Sequence, residues 1–274
     1  LNLYLTVCRI GKTTALQRQM IGGTSNSIGM AIAPLVISYL IFHGTPLHDI
    51  VTKQFIIPLI ILILIMLIIT LLVGKTQMPS IDNVRQAPGE KFDKSVWSFR
   101  NLKLGVWGIF FYVGIEVAVG ANVNMYASEL GGSFASNATH MAALYWGLLL
   151  FGRFLGSFIK QVPSEKQLVI ASIGAIVLLV LAMLTANPWI LTLIGFFHSI
   201  MWPAIFTLAT DQLGKYTTKA SGVLTMGVIG GGIIPLLQGI FADVMGGNWL
   251  WTWLLVIAGE AYILYYGLNG YKQH

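Results

Sequence analysis

Polar side chains that could bind a solute recur inside strongly apolar stretches of this chain. Five of them, on four different stretches, are Asn26, Glu116, Asn124, His198 and Gln238. Amide, carboxylate and imidazole groups donate and accept hydrogen bonds, which a solute with many hydroxyl groups requires. The ring of Trp202, four residues after His198, is suited to cover the apolar face of such a solute. The set predicts a binding site for a small polar molecule.

Glu116 is the residue whose position is most costly. It stands near the centre of the apolar stretch Leu104–Tyr126, whose 23 residues would span roughly 35 Å as a helix, against roughly 30 Å of hydrocarbon in a bilayer. A charge at that depth costs roughly 3 kcal/mol on insertion scales, so its presence indicates a functional site. The alternative is a neutral carboxyl group bonded to a neighbouring helix. Helical spacing places Tyr112, Gly120 and Asn124 on the same face.

Enzyme, metal and nucleotide chemistry find little support in the sequence. His198 has no carboxylate three or four residues away, and no second His or Cys stands at a metal-ligand spacing. No serine occupies a nucleophile-elbow motif. Gly11-Lys12-Thr13 resembles the end of a phosphate-binding loop, but Thr6 stands where that loop requires glycine. We therefore predict no enzyme activity, no metal and no organic cofactor.

Composition predicts an all-α, polytopic membrane protein. Of the 274 residues, 56% are hydrophobic and only 9% are charged, whereas a soluble domain averages about 25% charged residues. Lysine and arginine are dispersed through short loops, which argues against a nucleic-acid partner despite the net charge of +6. The predicted spans number about eight: Met20–Phe42, Phe55–Val73, Leu104–Tyr126, Met141–Ile159, Leu168–Ala186, Trp189–Ala209, Val223–Val244 and Leu250–Leu268.

The distribution of basic residues predicts the orientation. With eight spans, 15 of the 16 lysine and arginine residues fall on one side of the membrane and only Lys53 falls on the other. Because basic loops stay in the cytoplasm, both chain ends are expected there. Residues 74–103 form the longest polar segment and contain Pro79 and Pro88-Gly89. We therefore predict a first part at 1–73, a cytoplasmic loop at 74–103 and a second bundle at 104–274.

Five segments together resemble the fucose/glucose–galactose permease branch of the major facilitator superfamily. They are Arg18–Gly29, Phe110–Val119, Phe151–Ser157, Ser199–Leu208 and Gly230–Asp243, which resemble helices 5, 7, 8, 10 and 11 of that branch. The resemblance implies twelve helices in two six-helix bundles that rock about a midplane sugar site. It also implies that this chain carries helices 5–12, and that 1–73 is the remnant of an N-terminally truncated first bundle.

The resemblance also suggests roles for individual residues. Asn26 matches a sugar-contacting asparagine of helix 5, and Trp202 matches the aromatic residue before the helix-10 proline. Glu116 stands where some fucose permeases have glutamine and Gly120 where they have tryptophan, which favours the glucose/galactose side of the branch. The proton-carrying acids of the family lie on helices 1 and 4 and would precede residue 1. Glu116 is then an additional candidate proton site.

The sequence thus predicts a secondary active transporter in a bacterial inner membrane. It would import a neutral hexose by proton symport with alternating access, as a monomer embedded in lipid. Asn26, Glu116, Asn124, His198, Trp202 and Gln238 are the predicted sugar-binding residues. Coupling to sodium instead of a proton remains open. The alternatives are an exporter of apolar drugs and a membrane-embedded enzyme or accessory subunit.

Overall fold

The computed structural model describes residues 2–8, 11–35, 53, 56–77, 81, 84 and 91–273, and within them all regular structure is helical. The predicted all-α class is confirmed. Short 3₁₀ turns at 214–216, 226–229 and 250–252 join some of the helices, and a π-helical turn covers 266–270. In chain order, the α-helices are α1 Asn2–Val7, α2 Ala15–Leu35, α3 Ile56–Lys75, α4 Arg100–Leu130, α5 Gly132–Ser136, α6 Ala138–Gly156, α7 Ser164–Thr185, α8 Pro188–His198, α9 Met201–Ala209, α10 Thr217–Thr225, α11 Gly230–Val244 and α12 Trp253–Tyr265.

Five helical stretches among the described residues are long and apolar enough to cross a membrane. The remaining predicted spans contain α2, α6 and α12, so each predicted span holds at least one helix. The five stretches are Ile56–Lys75, Arg100–Leu130, Ser164–Thr185, Pro188–Ala209 and Gly214–Val244.

The chain divides into two compact units. One comprises Leu1–Ser25 with Ile81–His274, and the other comprises Asn26–Ser80. The start of α2 belongs to the first unit because it contacts the end of α6, where Gln17 Nε2 donates to the Ser157 carbonyl at 2.8 Å. This division differs from the boundaries predicted at 73 and 103, and the assignment of these parts to two bundles stays a prediction. In the second unit, α3 exposes apolar side chains on all faces, as expected of a helix surrounded by lipid or other helices.

Glycines allow the helices that carry the polar residues to pack closely. A Cβ atom on Gly230 of α11 would meet the backbone carbonyl of Phe110 in α4, and one on Gly195 of α8 would meet the carbonyl of Tyr145 in α6. Larger residues at either position would force the paired backbones apart. The contacts of α11 follow α4 in parallel, from Gly230 at Phe110 to Gln238 at Asn122.

The predicted span Trp189–Ala209 is interrupted, because α8 ends at His198 and α9 begins at Met201. The cause is Pro203, which has no N–H group to donate to the Ser199 carbonyl four residues earlier. The far end of α9 is fixed to α4, where the buried Asn101 Nδ2 donates to the Leu208 and Ala209 carbonyls at 3.2 and 3.3 Å. The break therefore places a carbonyl group that lacks its helical donor beside the polar residues described next.

Candidate functional site

Glu116 lies in the middle of α4 and is held by an aromatic hydroxyl and a guanidinium group. The Tyr112 hydroxyl, one turn earlier, donates to Glu116 Oε1 at 2.7 Å. Arg153 Nη2 lies 3.3 Å from the same oxygen, and the Glu116 and Arg153 side chains are 13% and 8% exposed. The carboxylate predicted to be functional is thus a nearly buried anion whose charge is balanced by a nearly buried cation.

Arg153 also connects Glu116 to two backbone carbonyls. Its Nε donates at 3.4 Å to the Ser199 carbonyl that Pro203 leaves without a helical donor, and its Nη1 donates at 3.5 Å to the Gly23 carbonyl. Arg153 falls near the end of the predicted span Met141–Ile159 and was counted with the basic residues on the predicted cytoplasmic side, an orientation that stays a prediction. Arg153 lies in the last turn of α6 and is buried. A single arginine inside an apolar stretch was the signal that could have paired it with Glu116.

His198 lies at the end of α8 in a fully buried chain of hydrogen bonds. Its Nδ1 is 2.7 Å from the Tyr145 hydroxyl, and its Nε2 is 2.6 Å from Glu260 Oε1 of α12. The Tyr145 hydroxyl also lies 3.0 Å from the Glu116 carbonyl, to which it can donate. The carboxylate partner that was absent near His198 in sequence is supplied by Glu260, 62 residues later. We call Tyr112, Glu116, Tyr145, Arg153, His198 and Glu260 the charged network.

Gln238 of α11 belongs to a second, neutral set of hydrogen bonds. Asn122 Nδ2 donates to Gln238 Oε1 at 2.9 Å, and Gln238 Nε2 donates to the Thr252 hydroxyl at 3.1 Å. The side chain of Gln238 is fully buried. We call Asn122, Gln238 and Thr252 the amide network. Asn122 was not among the predicted site residues, although an amide on the same helix as Glu116 could have indicated a polar contact there.

The other predicted residues occupy different surroundings. Asn124 of α4 is half-buried, and its Oδ1 atom is buried without a hydrogen-bond partner among the described residues. Trp202 is half-buried, with its ring centroid 6.4 Å from that of Tyr112 and stacked on Phe206 at 6.3 Å. Asn26 lies on α2 in the unit Asn26–Ser80 and is exposed. The sugar contacts predicted for all three stay predictions.

The charged network can hold charge and exchange protons, but its geometry is unlike that of a catalytic centre. The His198–Glu260 pair lies within hydrogen-bond reach, as catalytic pairs do, yet both side chains are 0% exposed. Within the described part of the chain, the ring nitrogens of His198 bond to Tyr145 and Glu260 and to no serine or cysteine. Among the described residues, no group of three or more His, Cys, Asp or Glu side chains could hold a metal ion. The arrangement therefore suits recognition and proton binding rather than bond cleavage.

Comparison with known proteins identifies the family. Residues 17–234 match the model of the Major Facilitator Superfamily. The chain is 35% identical over 287 residues to a putative glucose/galactose transporter of Helicobacter pylori strain J99, covering 99% of this chain and 70% of that protein. It is 29% identical over 199 residues to the L-fucose-proton symporter of Escherichia coli K12, covering 69% of this chain and 45% of that protein.

A solved structure shows the same fold. The crystal structure of FucP, a Major Facilitator Superfamily transporter in the outward conformation, matches with a TM-score of 0.81 at 23% sequence identity. The match covers 98% of this chain and 71% of that one. At this identity the likeness concerns the fold, whereas the sequence matches carry the family assignment. The chain belongs to the Major Facilitator Superfamily, a family of membrane transporters rather than enzymes.

Proposed function

We propose that this chain belongs to a secondary active transporter that imports a neutral hexose together with a proton by alternating access. The proposal is supported by the names of two relatives, a putative glucose/galactose transporter and an L-fucose-proton symporter. The proposed setting is a bacterial inner membrane, with both chain ends in the cytoplasm and the protein monomeric. The proton is the proposed coupling ion, and sodium is the alternative.

The observation that carries the proposal is the state of Glu116. Tyr112 and Arg153 both contact Oε1, and no described residue donates to Oε2. The side chain is 13% exposed, so one oxygen is available to accept a hydrogen bond from outside the protein. Arg153 balances the charge, which allows the carboxylate to remain ionised at this depth. An ionised carboxylate is a strong acceptor for a sugar hydroxyl.

Two neighbours extend this site in the proposal. Trp202 would stack on the hexose ring, since it is half-buried and lies beside Tyr112. Asn124 Oδ1, which has no hydrogen-bond partner among the described residues, would accept a second hydroxyl. The sugar contact of Asn26 stays a prediction. His198 and Gln238 are fully buried with their polar atoms already bonded. We therefore propose that these two residues support the site and do not touch the sugar.

Uptake of radiolabelled glucose and galactose into proteoliposomes tests this function. Glu116→Gln keeps the shape but loses the charge, and we expect the apparent affinity to fall by roughly tenfold, equivalent to about 1.4 kcal/mol. Glu129→Gln is the matched control because Glu129 is exposed on the same helix. It should leave uptake unchanged.

Three results would contradict the proposal. Unchanged affinity and unchanged pH dependence in Glu116→Gln would remove Glu116 from the sugar site. Competition by lipophilic cations but not by hexoses would favour the drug exporter. Uptake driven by a sodium gradient in the absence of a proton gradient would show that sodium, and not a proton, is the coupling ion.

A further inference from the structure

The His198–Glu260 pair is a fully buried ionisable pair of the charged network, and the sugar site described above does not use it. Both side chains are 0% exposed, and Nε2 lies 2.6 Å from Oε1. The pair joins α8 to α12, while Tyr145 joins it to α6 and α4. A buried ionisable pair that no substrate reaches requires a separate explanation.

The second oxygen of Glu260 indicates the protonation state of the pair. Glu260 Oε2 is buried and has no hydrogen-bond partner among the described residues. An ionised carboxylate with a bare buried oxygen is costly, whereas the carbonyl oxygen of a neutral carboxylic acid tolerates this position better. The geometry thus fits a protonated Glu260 whose Oε1–H donates to His198 Nε2.

A protonated Glu260 fixes the direction of each hydrogen bond that runs from Glu260 through His198 and Tyr145 to the Glu116 carbonyl. If Nε2 accepts from Glu260, the neutral imidazole carries its proton on Nδ1 and donates to the Tyr145 oxygen. The Tyr145 hydroxyl then donates its single hydrogen to the Glu116 carbonyl, 3.0 Å away. Glu260 Oε1, His198, Tyr145 and the Glu116 carbonyl are then joined in a single sequence of hydrogen bonds from α12 to α4.

Removal of one proton reverses that sequence. When Glu260 loses its proton to solvent, the carboxylate requires a donor, and the imidazole supplies one by carrying its proton on Nε2. Nδ1 then becomes an acceptor and takes the Tyr145 hydroxyl hydrogen across the 2.7 Å contact. Because a hydroxyl has only one hydrogen, the Glu116 carbonyl loses the hydrogen bond from Tyr145. One proton leaves in total: the Glu260 O–H bond and the His198 Nδ1–H bond break, the Nε2–H bond forms, and the Tyr145 hydrogen bond changes acceptor.

We propose that His198 and Glu260 form a buried site for one exchangeable proton. The Tyr145 hydroxyl bonds to the Glu116 carbonyl of α4 when this proton is bound and to His198 Nδ1 when it is absent. Proton binding is a property of the pair itself, whereas its link to sugar affinity rests on the proposed function. Tyr145 acts as a positioning residue, since it touches Glu116 only through the backbone carbonyl. The site lies on α8 and α12, within the described part of the chain.

Few other charged groups lie near the His198–Glu260 pair, so its titration reflects mainly its own proton. The ionisable groups that face it are Tyr145, Tyr112, Glu116 and Arg153, of which the last two form their own ion pair. The other charged residues on α4, α7 and α11, the helices packed against α12, stand in the end turns: Arg100, Lys103, Glu129, Glu165, Lys166 and Asp243.

Infrared difference spectroscopy of the purified protein during a pH titration tests proton binding without any sugar. We expect a band from a protonated carboxylic acid that disappears as the pH rises, and we expect Glu260→Gln to lack this band. Glu129→Gln, which changes an exposed carboxylate, should retain it. If Glu260→Gln does not fold, His198→Gln provides the second variant, and the band should then disappear at a different pH. An unchanged titration in either variant would overturn the proposal.

Binding of D-glucose at several pH values tests the link to α4. We expect the affinity of the unmodified protein to change by roughly fivefold or more across the titration. Tyr145→Phe should retain the infrared band but make glucose affinity independent of pH. Retention of the pH dependence in Tyr145→Phe would refute the role of Tyr145. A protein that titrates as expected but binds no hexose would contradict the proposed function and leave the proton site intact.

Discussion

Two buried polar networks share helix α4 but differ in the chemistry they allow. The charged network links α4 to α6, α8 and α12 through Glu116, Arg153, His198 and Glu260. The amide network links α4 to α11 and to the turn before α12 through Asn122 and Gln238. Both networks satisfy groups that would otherwise be costly to bury.

The difference concerns what each network can change. Amide and hydroxyl groups stay neutral at all physiological pH values, so the amide network can only hold α11 against α4. The charged network contains a carboxylate and an imidazole whose protons can leave. The contrast teaches that buried polar groups within helices can serve two purposes: fixed packing, as in the amide network, and the change of protonation state that we propose for the charged network.

The largest effect should come from breaking the ion pair of the charged network. Arg153→Met would leave Glu116 without its cation, and we expect a loss of roughly 3–5 kcal/mol in the free energy of unfolding. Denaturant unfolding in detergent, followed by circular dichroism, would measure this loss. Lys160→Met is the control because Lys160 is exposed beyond the same helix. The double variant with Glu116→Gln should recover part of the loss, and equal costs for Arg153→Met and Lys160→Met would contradict the structure.

An intermediate effect should come from separating α11 from α4. Gly230→Ala would drive a methyl group into the Phe110 carbonyl, and we expect a loss of about 1–3 kcal/mol in thermal unfolding measurements. Gly232→Ala is the matched control, since among the described residues nothing beyond the adjoining backbone of its own helix lies within 4 Å of a Cβ at that position. Similar stabilities for the two variants would show that α11 does not approach α4 as described.

The smallest effect should come from the amide network alone. Gln238→Leu preserves the side-chain volume but removes the acceptor for Asn122, and we expect a loss of about 1–2 kcal/mol. Because no group of this network titrates, the loss should be equal at about pH 5 and about pH 8. Gln273→Leu, at an exposed amide, should have no effect at either pH. A cost that varies with pH would show that the two networks are coupled.

The positions of the helices and of Glu116 were predictable because they depend on local sequence. Apolar stretches separated by polar loops gave the predicted spans, and each of these spans holds at least one helix. The carboxylate in the middle of one span identified Glu116 as a functional candidate. The partners of Glu116 were less accessible to this reasoning. Arg153 was placed near the end of its predicted span without a partner. Glu260, near the middle of the last predicted span, could not be paired with His198 from sequence because the two are 62 residues apart.

The sequence by itself determined that this is an all-α membrane protein of the Major Facilitator Superfamily with costly polar groups at membrane depth, because hydropathy and motifs are properties of contiguous residues. Only the tertiary structure decided which of those groups meet. Whether His198 contacts a sugar or Glu260, and whether Arg153 faces water or Glu116, depends on how four helices are rotated and packed. That packing is set by contacts such as Gly195 with Tyr145, between residues far apart in the chain.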